Sequence, residues 1–129
     1  MSQSLRTPTS QVRGLGASRE GTNHYIRQRV TAIALIVLVP WFIFSAITAA
    51  RGGYDSVVAW MGSPLIAIVL ILAIGSAFYH MRLGMQVVIE DYIARTSTRQ
   101  ALLIFNTFFV AVLFVATALS VLKIWFSAG

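Results

Sequence analysis

Residues 30–50 read VTAIALIVLVPWFIFSAITAA, twenty-one positions without a charge. At a rise of ~1.5 Å per residue, a helix of that length reaches about 31 Å, the thickness of a bilayer's hydrocarbon core. Working outward, Trp60 to Met81 and Ala101 to Leu122 are two further uncharged runs, each of 22 residues. The three runs take about half of the 129 residues and leave no room for a soluble catalytic domain. Composition agrees, with 57% apolar and 11% charged residues and a mean hydropathy of +0.78. The expected fold is therefore an all-α membrane protein with three transmembrane helices, at about 30–50, 63–90 and 101–124. An N-terminal arm, 1–29, precedes this anchor domain, 30–129.

The charges orient the spans. Formal net charge is +6. In a soluble chain such an excess would raise the question of nucleic acid, but here the distribution answers a different one. Arg6, Arg13, Arg19, Arg27 and Arg29 precede the first span, and Arg82, Arg95 and Arg99 lie between the second and third. Only Arg51 and Lys123 fall on the opposite side. Eight cations against two predict a cytoplasmic N-terminus, an external C-terminus and no nucleic-acid partner. The first 23 residues lack the apolar core of a secretory signal. Their arginines and serines suit a mitochondrial transit peptide, but Pro8, Gly14 and Gly16 oppose an amphipathic helix. A flexible cytosolic arm is the expectation.

Within the spans, Pro40 predicts a kink in the first. Arg51-Gly52-Gly53-Tyr54 predicts a flexible joint, and Ser63-Pro64 a helix start with Ser63 as N-cap. Trp60 and Lys123-Ile124-Trp125-Phe126 stand where an interfacial aromatic belt would lie. Trp41, Met81, Met85 and the phenylalanines of the third span read as lipid-facing or packing residues.

The residues that bear chemistry are concentrated in SAFYHMRLGMQVVIEDY, Ser76 to Tyr92. Ionisable groups in or against a membrane helix are costly and mark function. Eleven steps of ~100° bring Asp91 to within about 20° of His80, and Ser76, Gly84 and Val87 lie near the same face. A face of small and functional groups meets protein or a cofactor rather than lipid. Arg82, about 200° round from His80, either snorkels or meets a different helix.

An imidazole in this position can ligate a haem iron, hydrogen-bond a neighbouring helix or carry a proton. With no cysteine in the chain, thiolate zinc and iron–sulfur sites are excluded, and a redox metal would need histidine. His24, beyond Arg27 and Arg29, cannot supply a second intramembrane ligand, so a haem on His80 requires another chain. The bland readings are a structural His80, an Asp91–Arg95 pair one turn apart in a continuing helix, a belt tyrosine at Tyr92 and a topology anchor at Arg29.

His80-x3-Gly84-x6-Asp91-Tyr92 resembles the signature of the small hydrophobic membrane anchor subunit of succinate dehydrogenase, respiratory complex II. Arg29-Val30-Thr31-Ala32-Ile33 is similar to that family's Arg-x-Thr-Ala-Ile, and Gly14-Leu15-Gly16, Gly21, His24-Tyr25 and Gln28-Arg29 look like the alpha-proteobacterial form of the arm. The resemblance covers most of the chain. It implies that His80 is one axial ligand of a haem b shared with a second, cytochrome b-type anchor subunit. It also implies that Tyr92 hydrogen-bonds a carbonyl of ubiquinone, that Asp91 supports that site and its protons, and that Arg29 lies near a haem propionate. The implied partners are the second anchor, an iron–sulfur subunit, a flavoprotein that oxidises succinate, and the lipid of a bacterial inner membrane. This chain would then carry no catalysis alone. A fumarate-reducing relative and a non-redox accessory subunit are the alternatives; quinone extraction separates the first, and absence of haem and flavoprotein the second.

Overall fold

The computed structural model describes residues 7–12 and 19–128. Its helices are α1 (Pro8–Val12), α2 (Arg19–Arg51), α3 (Gly53–Met61), α4 (Pro64–Tyr92) and α5 (Thr96–Ala128), and no strand occurs among the described residues. Three of them, α2, α4 and α5, are long and apolar enough to cross a membrane. Each runs past the boundary expected from its uncharged run. Counting apolar residues measures the hydrocarbon thickness, whereas helical hydrogen bonding continues through polar residues until something interrupts it.

Of the residues expected to form the arm, Arg19 to Arg29 are helical and continuous with the first span in α2. Residues 1–6 and 13–18, on which the expectation of a flexible arm also rests, lie outside the described residues. Pro40 sits inside α2, which continues through it as one helix.

The joint after α2 is a tight turn into a helix rather than a flexible link. Gly52 donates its N–H to the Ala49 carbonyl at 3.1 Å, and Gly53 takes φ +80°. A Cβ on Gly53 would meet nothing within 4 Å, so any cost of a side chain there is backbone strain alone. Gly53→Ala is expected to destabilise the protein by about 1 to 2 kcal/mol, read as a lower midpoint of thermal unfolding in detergent.

At the start of α4, Ser63 is the N-cap residue and Pro64 follows at the first helical position, as the sequence predicts. The Ser63 hydroxyl makes no capping bond; its carbonyl accepts from the Ala67 N–H at 2.9 Å.

The three spans form a row. α4 packs against α2 on one side and α5 on the other, α2 and α5 do not touch, and α3 contacts all three. Ala67, Leu70 and Val121 make a small core between α4 and α5. Trp60, expected in an interfacial belt, packs against this core together with Met61 and Trp125. The outer helix α2 differs: none of its most apolar 18 residues is buried. In lipid an apolar helix face has no hydrophobic drive to hide, so such a row is stable and keeps broad surfaces for lipid or other helices.

Candidate functional site

His80 and Arg82 leave α4 toward different neighbours. The half-buried His80 places its Nδ1 3.1 Å from Thr31 Oγ1 of α2. Arg82 donates from Nε to Thr107 Oγ1 of α5 at 3.2 Å. Its own carbonyl accepts from Asn106 Nδ2 at 3.1 Å. The ~200° separation of the two side chains is thus realised, and Arg82 meets a different helix rather than snorkelling.

Thr31 Oγ1 also lies 3.0 Å from the carbonyls of Arg27 and Gln28. A threonine hydroxyl commonly donates back to such a carbonyl in its own helix. Its oxygen lone pairs are then left for the imidazole. Among the described residues, no hydrogen bond reaches His80 Nε2.

Beside the imidazole is an open cleft of about 260 Å³ lined by Tyr25, Gln28, Arg29, Ala32 and His80. The Arg29 guanidinium lies 5.2 Å from the centroid of the Tyr25 ring, a cation–π contact that orients it. His80 and Arg29, 51 positions apart in sequence, therefore border one space. On the His80 face of α4, a Cβ added to Gly84 would meet nothing within 4 Å, while Val87 and Asp91 are exposed. The face predicted to meet protein or a cofactor opens outward beyond Thr31.

The cleft's donor set suits a haem edge. It offers one imidazole whose remaining nitrogen is unbonded among the described residues, and a guanidinium able to pair with a carboxylate. Among the described residues, no group of three or more His, Asp or Glu side chains could enclose a metal ion. The other histidine of the chain, His24, lines a different cleft, so this one presents a single imidazole.

Asp91 lies at the other end of the same face, about 16 Å along the axis from His80, and Tyr92 follows it one residue on, about 120° round the helix from His80. Both are exposed, Tyr92 at 82%. α4 stops at Tyr92, and residues 93–95 are not helical. The i,i+4 helical geometry needed for an Asp91–Arg95 pair is absent. Their neighbour Glu90 instead accepts from Gln86 Nε2 at 2.8 Å.

His24, set aside as a ligand, lines a separate polar cleft with Asn23, Arg27, Arg82 and Gln86. Its Nε2 is buried without a hydrogen-bond partner among the described residues.

A profile of the succinate dehydrogenase/fumarate reductase transmembrane subunit family matches residues 3–118. The chain belongs to that family. Its curated relatives include the succinate dehydrogenase hydrophobic membrane anchor subunit of Rickettsia conorii, 33% identical over 102 residues, which cover 78% of this chain and 81% of the relative. The corresponding subunit of Paracoccus denitrificans is 33% identical over 103 residues, covering 80% and 79%. That of Rickettsia bellii is 31% identical over 104 residues, covering 81% and 83%. No solved structure matches the chain.

For this member of the succinate dehydrogenase/fumarate reductase transmembrane subunits, sequence reasoning missed three polar contacts, those of Thr31 with His80 and of Asn106 and Thr107 with Arg82. Asn106 is the one buried polar side chain among the described residues, yet it lies in an uncharged run read only for its hydrophobicity. A carboxamide within such a run needs a partner, and that requirement is the signal that points to it. Thr31 was visible within the Arg29 to Ile33 block, but nothing local ties it to His80.

Proposed function

We propose that this chain is a membrane anchor subunit of succinate:ubiquinone oxidoreductase, inserted with its N-terminus in the cytoplasm of a bacterium. It joins a second anchor at a shared haem b and forms part of the ubiquinone-reduction site. Family membership supports the complex. The observation that carries the haem role is the opening of His80 and Arg29 onto one cleft, with His80 Nδ1 already engaged by Thr31.

In this reading His80 would hold the haem iron through Nε2, together with a ligand from the second anchor. Arg29 pairs with a propionate. When bound, haem b supplies a one-electron site inside the membrane. Tyr92 donates its hydroxyl to the ubiquinone carbonyl oxygen on which negative charge develops, and the exposed Asp91 passes protons from the aqueous side. The exposure of both groups fits a site completed by neighbouring subunits. The flavoprotein takes electrons from succinate, and the iron–sulfur subunit delivers them to the quinone.

Purification through this subunit in mild detergent is expected to retain flavin, iron–sulfur clusters, a second membrane chain and succinate-dependent quinone reduction. Recovery of the subunit without flavin or iron–sulfur partners would turn the reading to a non-redox accessory protein.

A further inference from the structure

We infer that Thr31 is a positioning residue that holds His80 in the Nδ1–H tautomer and thereby presents the Nε2 lone pair to its ligand. The inference deepens the haem reading above and rests on it.

Three distances carry it. Thr31 has one hydroxyl proton, and two carbonyls of its own helix, Arg27 and Gln28, lie 3.0 Å from Oγ1. The proton is directed between them, so the oxygen faces His80 Nδ1 as an acceptor at 3.1 Å. An acceptor there requires the imidazole proton on Nδ1. The tautomer of a histidine is set by the bond its other nitrogen makes, and Nε2 is then an unprotonated donor to a metal. Without the hydroxyl, neither the tautomer nor the tilt of the ring is specified by α2.

The contact also ties the first span to the second through the ligand itself. A hydrogen bond from Nδ1–H makes an imidazole a stronger electron donor and favours the ferric state. Its loss weakens the iron–nitrogen bond and shifts the reduction potential upward. Groups that orient metal-ligating histidines in this way typically affect metal affinity about 10- to 100-fold.

The test uses the intact complex carrying Thr31→Val, Thr31→Ser or His80→Ala. It reads haem retention against excess apomyoglobin, the haem midpoint potential and the low-spin ferric electron paramagnetic resonance spectrum. Valine keeps the shape without the hydroxyl, and serine restores it. Thr31→Val is expected to lose haem about 10-fold more readily, with a more positive potential and displaced g-values, while Thr31→Ser stays close to wild type. Wild-type retention and potential in Thr31→Val would overturn the inference, with the haem reading intact as long as His80→Ala loses the haem. Equal haem loss in the valine and serine variants would overturn it too, by assigning the effect to packing. A wild-type complex without haem, or a His80→Ala complex with an unchanged haem, would overturn the haem reading and this inference together.

Discussion

Replacement of His80 by alanine is expected to abolish or displace the α-band of a b-type haem in the reduced-minus-oxidised spectrum of the purified complex. One imidazole of a two-histidine site would be gone, and the chain contains no substitute. His24 lines a different cleft with Arg27 and Arg82, whereas His80 shares its cleft with Arg29. Membrane insertion is expected to survive, since the side chain contributes a single interhelical hydrogen bond, a class worth about 0.6 kcal/mol on average in lipid. The result separates a ligand from a structural histidine. A structural His80 would leave the spectrum unchanged and appear only as a small loss of stability. Haem content per flavin, measured beside subunit stoichiometry, distinguishes the two.

The second large effect is expected at Tyr92. Tyr92→Phe removes one hydroxyl from a side chain that is 82% exposed and lies at the last helical position of α4. Among the described residues no hydrogen bond involves its hydroxyl, so assembly and the haem spectrum are expected to be unchanged. Succinate-dependent ubiquinone reduction is expected to fall about 100-fold, the scale for deleting one donor aimed at a developing oxyanion. Succinate oxidation with an artificial acceptor that takes electrons upstream of the quinone should remain normal. Unimpaired quinone reduction would remove Tyr92 from the mechanism and leave it an ordinary belt tyrosine.

The two sites differ in how far they could be read without the structure. Asp91 and Tyr92 follow His80 on the same helix, so helical periodicity alone aligns Asp91 with it and sets the separation. The Arg29–His80 cleft depends on the packing of α2 against α4, and no local pattern encodes the register of that contact. The same holds for Arg82, whose direction away from His80 follows from the helical wheel but whose partner Thr107 does not. Trp60 gives a further case, since its position before a span suggests an interfacial ring but not that this ring packs onto Ala67, Leu70 and Val121.

Run lengths and charge bias were sufficient for three spans and an expected orientation, because hydrocarbon thickness and the cost of burying charge act on each segment independently of its neighbours. Spacing within Ser76 to Tyr92 likewise placed histidine, glycine and aspartate on one face. Tertiary structure alone decided that α4 is the middle of a row, that Thr31 meets His80, and that Asn106 and Thr107 engage Arg82. These contacts join residues far apart in sequence through the register of packed helices. That register is set by the side chains of both helices at once, and neither helix read by itself contains it.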